Sequence, residues 1–104
     1  MILNIPDILI VSMVKDLEDT RDKYQGYSYV TTMRNILVGK PDAAIAPYFR
    51  GKIYHGIINK ASKEDVEETM ESMVNRGILC YVISETGKKL YCTNEYHDYL
   101  CSRK

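Results

Sequence analysis

Few residues of this chain are of a type and spacing that can do chemistry, and they fall into two sets. The first is Cys80, Cys92, His97 and Cys101. Two of these cysteines lie on apolar runs that read as paired strands, nearly opposite each other, and the last two residues are at i, i+4 spacing on a helical stretch. A Cys3His zinc site can be drawn from them. No CxxC knuckle is present, however, and three cysteines, an odd number, fit a reducing compartment better than a disulfide framework. The expected roles are therefore small buried hydrophobes plus a surface histidine, with no metal and no cofactor.

The second set is cationic. Arg50 and Lys52 flank Gly51, and Lys88 and Lys89 follow Gly87 in "SETGKKL". Clustered cations beside glycines suit the backbone phosphates of a nucleic acid, to which lysine presents a point charge. The competing role is that of ordinary charges keeping loops in water. Fourteen basic residues balance fourteen acidic ones, so a polyanion-binding surface has to come from segregated charge. Nothing in the sequence points to catalysis. There is no GxxxxGK[ST] phosphate loop, no Ser-His-Asp or Cys-His arrangement around the two histidines, and no signal for a desolvated carboxylate pair.

These residues must be positioned by a chain of 104 residues, a length suited to one domain over 1–104, with 45% hydrophobic residues to supply a core. No apolar run approaches the roughly 18 residues of a membrane span. The start, "MILNIPDILIVSMV", lacks a basic flank and is broken by Asn4, Pro6 and Asp7, so it reads as a helix of the domain and not as a signal peptide. An intracellular protein is expected, in cytoplasm or nucleoid, or in a nucleus. Pro6 is tolerated in a first helical turn, and Ile10, Met13, Val14 and Leu17 recur at helical spacing. "YQGYSY" breaks that helix. A second helix carries Val30, Met33 and Leu37 on one face and ends at Gly39, with Pro41 soon after. "PDAAIAPYFRG" allows a turn or two of helix before Pro47 interrupts it.

The next helix is signalled most strongly. Ser62-Lys63-Glu64-Asp65 resembles a capping box, Val66, Met70, Met73 and Val74 form an apolar face, and Gly77 is the stop. Two β-prone runs follow, Ile78 to Ser84 and Leu90 to Asn94, around a turn in which Gly87 offers a positive φ. A short helix from Glu95 to Leu100 closes the chain. The order predicts an α+β, mostly helical fold, a winged helix-turn-helix with a C-terminal β-hairpin wing. In such folds the helix before the wing usually enters a major groove. Here, Glu64, Asp65, Glu67, Glu68 and Glu71 stand against only Lys63 and Arg76, so phosphates would repel it along its length. That run reads as the solvated face of an amphipathic helix and not as a reader of base edges.

The segments "ILVGK" (36–40), "IYHGI" (53–57), "SKEDVEETMESMV" (62–74) and "RGIL" (76–79) resemble the winged-helix RQC domain found on the C-terminal side of RecQ-type DNA helicases. They look like that family's Leu-Arg-Gly-Ser turn, its hydrophobic-aromatic-Gly loop, its long penultimate helix and the Gly-aliphatic step into the wing. The spacings of 17 residues from Gly39 to Gly56 and 21 from Gly56 to Gly77 are also similar. Upstream, "ILIVSMVKDLEDTRDKYQGYSYVTTMRNIL" resembles the first two helices, with a slightly longer connection. The resemblance implies a monomeric, non-catalytic module that grips double-stranded or forked DNA beside a single-strand junction. The ATP-dependent motor would lie on another portion of a longer chain or on a separate protein, and a helicase core would be a partner.

Residue by residue, Val38 takes the place of the family's arginine, and Lys40 stands where serine is common. Helix-start amides near Asp42 and Ala43 can donate to a phosphate, although Asp42 opposes one. Arg50 and Lys52 lie in the region expected to touch the backbone, and Lys88 and Lys89 extend the footprint to the wing. A strand-separating wedge needs an apolar or aromatic side chain at the wing tip, and none occurs from Ser84 to Lys89. The wing reads as a grip more than a blade. Tyr81 and Tyr91, like most of the nine tyrosines, read as half-buried packing residues, and His55 as a loop residue with a satisfied hydrogen bond. Two other classes remain: a dimeric transcription regulator, disfavoured by the acidic helix, and a protein-interaction module that uses the acidic helix 62–76.

Overall fold

A computed structural model describes residues 1–20, 30–40 and 46–102. The connection containing Tyr24, Tyr27 and Tyr29, and the positions of Asp42 and Ala43, lie outside them. Helix α1 (Asp7–Asp19) turns Ile10, Met13, Val14 and Leu17 inward, the stripe its 3.6-residue period dictates. Pro6 stands at its N-cap, one residue ahead of the helix and not within the first turn. Its carbonyl accepts from the amides of Leu9 and Ile10 at 3.0 and 3.4 Å, and its missing N–H is of no consequence there.

Helices α2 (Val30–Val38) and α4 (Lys63–Asn75) end in the same way. After α2 the Gly39 and Lys40 amides donate to the carbonyls of Ile36 and Asn35, at 3.1 and 2.9 Å. After α4 those of Gly77 and Ile78 donate to Val74 and Met73, at 3.0 and 2.9 Å. Both glycines have positive φ, 72° and 77°, the left-handed conformation that this helix stop requires. At the other end of α4, the Ser62 side chain accepts from the Asp65 amide at 3.1 Å, and the Asp65 carboxylate accepts from the Ser62 amide at 3.3 Å. The capping box forms with aspartate in the third position.

Between them, α3 (Ala46–Phe49) is a single turn. Pro47 lies within it and does not interrupt it; the residues before Ala46 lie outside those described.

After α4 the chain forms one antiparallel hairpin, β1 (Cys80–Ile83) with β2 (Lys89–Cys92), in which Tyr81 faces Tyr91 and Ile83 faces Lys89. The strands differ in extent from the β-prone runs. Ile78 and Leu79 both donate their amides back to Met73, Leu79 is buried in the core, and β2 begins one residue early, at Lys89. Helix α5 (Asn94–Ser102) is longer than the sequence suggests and starts from Thr93, whose hydroxyl accepts from the Tyr96 amide at 3.2 Å. Glu18 at the end of α1 accepts from both the amide and the hydroxyl of Thr93, at 2.6 and 3.1 Å. That carboxylate fixes where the hairpin ends and α5 begins.

The core joins α1, α2 and α4 through Met13, Leu17, Met33, Leu37, Val66 and Met70, with Phe49 added from α3 and Tyr54, Leu79 and Tyr91 from the connections and the hairpin. A two-stranded hairpin is marginal alone in water, and here Tyr91 anchors it to the helical core. The architecture is thus a small, mostly helical α+β arrangement. No helix among the described residues is long and apolar enough to cross a membrane.

Candidate nucleic-acid interface

Two of the segments that carry the family resemblance touch. The turn after α2 lies against the loop that follows α3: the Gly56 amide donates to the Ile36 carbonyl at 2.9 Å, and the Ile58 amide to the Leu37 carbonyl at 3.2 Å. The approach is so close that a Cβ on Gly39 would sit 3.0 Å from the Gly56 Cα and 3.8 Å from the His55 ring. Lys40 leaves this contact exposed to solvent, and Arg50 is exposed on the loop that enters it. Lys52 is half-buried, with its Nζ 3.7 Å from an Asp16 carboxylate oxygen and 5.0 Å from the centroid of the Tyr48 ring. Asp16 in turn accepts from the buried Tyr54 hydroxyl at 2.5 Å, and burial, then this bond, pushes that phenol well above its ordinary value. Of the three cations here, Lys52 already has an anionic neighbour.

The hairpin holds its lysines differently. Lys89 donates to Glu71 of α4 at 2.6 Å and lies 4.5 Å from the centroid of the Tyr81 ring. The same Glu71 oxygen accepts from the Tyr91 hydroxyl at 2.7 Å. The Lys89 hydrogen bond, followed by that of Tyr91, holds the Glu71 carboxyl below the usual glutamate range. Burial, then Glu71, pushes the Tyr91 phenol up. Lys89 is therefore exposed but already paired with an internal carboxylate, whereas the sequence placed it at the tip beside Lys88. Both lysines line a cavity of about 470 Å³ together with Thr31, Thr32, Glu67 and Tyr91.

Several charges of the acidic helix have partners on other elements. Arg76, one of its two cations, makes a two-pronged contact with Asp7 of α1 at 2.7 and 3.0 Å, and this guanidinium holds the Asp7 carboxyl below its ordinary value. Asp65 caps the helix, Glu71 clasps the hairpin and Glu68 lies 2.7 Å from the Met1 amino group, while Glu64, Glu67 and Glu68 are all exposed along one groove. A phosphate chain laid lengthwise on α4 would meet these three carboxylates.

Apolar side chains escaped the sequence reading. Ile53 is 75% exposed and Ile57 39%, in the same loop as Arg50 and Lys52. Ile83 is 58% exposed at the last strand pair before the hairpin turn. No residue from Ser84 to Lys89 supplies an apolar tip, but Ile83 stands immediately beside it. Strand alternation could not have shown it, because Ile83 is two positions from half-buried Tyr81, on the face that carries buried Tyr91. The loop isoleucines have no periodic pattern from which exposure can be read. His55 is half-buried in the glycine contact.

Cys80 and Cys92 are direct partners across the hairpin, and Cys101 lies 3.8 Å from the His97 ring on α5. Among the described residues no group of three or more histidine, cysteine or acidic side chains could hold a metal ion. No family model matches the chain, and no curated protein or solved structure matches it.

Proposed function

We propose that this chain is a winged-helix module of the RQC type, which grips the backbone of double-stranded or forked DNA beside a single-strand junction and performs no catalysis itself. The observation that supports this reading best is the contact of the 36–40 turn with the 53–57 loop, flanked by Lys40, Arg50 and Lys52. Two motifs of one family resemblance, separate in the chain, form one junction with solvent-facing cations beside it. The helix–helix–turn–helix–hairpin order agrees with the reading, and so does an α4 whose exposed groove is acidic. In this arrangement Lys40 and Arg50 supply phosphate contacts, Lys88 extends them to the wing, and Lys89 mainly holds the wing to α4. The helicase core of a parent chain is the natural partner, and the module acts as a monomer.

The test is fluorescence anisotropy on a forked duplex, a blunt duplex and a single strand, each across a salt series. Binding is expected to favour the duplex-containing probes and to weaken steeply with salt. The Lys40→Ala/Arg50→Ala double variant should lower affinity for all duplex sequences alike and reduce the salt slope by about 2, one for each phosphate that is no longer neutralised. No binding to any probe at low salt overturns the proposal. The exposed groove of Glu64, Glu67 and Glu68 would then favour a protein-interaction module for a basic partner.

A further inference from the structure

The proposed DNA contacts leave the paired cysteines of the hairpin unused. Cys80 and Cys92 are direct register partners, so their side chains project from the same face of the ladder. The type of pairing follows from the turn. The Ser84 amide donates to the Lys88 carbonyl at 2.8 Å, which makes 84 and 88 a hydrogen-bonded pair. Hydrogen-bonded and non-hydrogen-bonded pairs alternate along an antiparallel ladder, so 82 with 90 and 80 with 92 are hydrogen-bonded as well. Cα atoms in such pairs stand about 5.5 Å apart. A disulfide spans roughly 4.4–6.8 Å between Cα atoms, and closing one here draws the Cβ atoms inward from the wide end of the roughly 4.5–5.5 Å cross-strand range. None of the three cysteines is in a disulfide in this structure.

We propose that Cys80 and Cys92 are a redox modification site, closed into a reversible cross-strand disulfide by a low-molecular-weight disulfide of the glutathione type. Burial orders the steps. Cys80 is partly exposed and Cys92 fully buried, so the external disulfide meets Cys80 first. The Cys80 thiolate attacks one sulfur of the reagent, forming a mixed disulfide and releasing one thiolate. Cys92, held opposite, then loses its proton and attacks the Cys80 sulfur, releasing the second thiolate. The two protons pass to the two released thiolates. Two protein thiols are oxidised to one disulfide while one external disulfide is reduced to two thiols. Burial of Cys92 keeps a second reagent molecule from capping it before the ring closes. The product staples the root of the hairpin, at the end opposite Lys88, and a thiol reductant reopens it.

Cys101 is exposed beside His97 and reacts independently, so the test uses the wild-type chain and Cys101→Ser in parallel. Both are incubated, folded, with excess oxidised glutathione, and free thiols are counted before tryptic mass spectrometry. In Cys101→Ser the count should fall from two to none with no retained glutathione, and the peptides 77–88 and 90–103 should appear linked. The wild-type chain should show the same Cys80–Cys92 link by fragmentation, and dithiothreitol should reverse it in both. Cys80→Ser in the Cys101→Ser background should keep its one remaining thiol while folded. A lasting glutathione adduct on Cys80 with Cys92 still reduced overturns the proposal. So do disulfide-linked dimers, two persisting thiols, or a link that forms only in denaturant.

Discussion

The C-terminal turns of α2 and α4 share one hydrogen-bond pattern and one backbone conformation, with Gly39 and Gly77 in matching places, and they differ in what lies against them. A Cβ on Gly77 would have nothing within 4 Å, whereas a Cβ on Gly39 would press on the backbone of Gly56. Gly77 is needed only to turn the chain out of the helix. Gly39 also lets two backbones meet, and that meeting places Lys40 beside the loop of Arg50 and Lys52. The α4 end of the molecule is joined by side chains instead: Glu71 holds Lys89 and Tyr91 of the hairpin, and Arg76 holds Asp7 of α1. A junction built from close backbones should be sensitive to added volume, and one built from charged side chains to altered charge.

The largest expected effect tests that contrast directly. Gly39→Ala adds the cost of a left-handed alanine to crowding against backbone that cannot rotate away, roughly 2–4 kcal/mol in all. Chemical denaturation should show it, and on the proposed function duplex affinity should fall with it. Gly77→Ala meets only the conformational cost, roughly 1–2 kcal/mol, and should leave duplex binding unchanged. Equal losses for the two variants would show that the Gly39–Gly56 contact is not maintained in solution.

Tyr91→Phe keeps the buried ring and removes its hydrogen bond to Glu71, at about 1 kcal/mol. The smallest effect is on pH dependence. The Glu71 carboxyl is held below its ordinary value in the folded protein, chiefly by Lys89 and then by Tyr91, so the folded state favours its ionised form. That contribution is fully present above the ordinary glutamate value and is lost as pH falls through the lowered one. Asp7 beside Arg76 acts in the same direction. Glu71→Gln should therefore flatten the acid limb of Tm against pH, and an unchanged limb would mean that the clasp with Lys89 is open in solution.

Much of the local structure was legible in residue order. The inward stripe of α1, the Ser62 capping box, the stops at Gly39 and Gly77 and the turn at Gly87 each depend on residues a few positions apart. The misjudged features depended on distant neighbours. β2 begins at Lys89, not Leu90, with that lysine tied to Glu71 on another element, and α5 starts where Glu18 of α1 meets Thr93. Sequence named five candidate DNA-contacting cations, of which Lys40 and Arg50 are exposed. It could not show that Asp16 stands near Lys52, or that Lys88 and Lys89 line one cavity with Thr31 and Thr32.

By itself the sequence determined the order of helices and hairpin, the stops of α2 and α4 at Gly39 and Gly77, and that the helix before the hairpin carries a dense acidic face. Those properties arise from propensity, periodicity and the few residues able to adopt a positive φ, all of which act over one or two turns of chain. Tertiary structure alone decided which charges are already paired and that Gly39 must make room for Gly56. Each of these is a meeting of groups far apart in the chain, and such groups acquire a distance only when the core between α1, α2 and α4 closes.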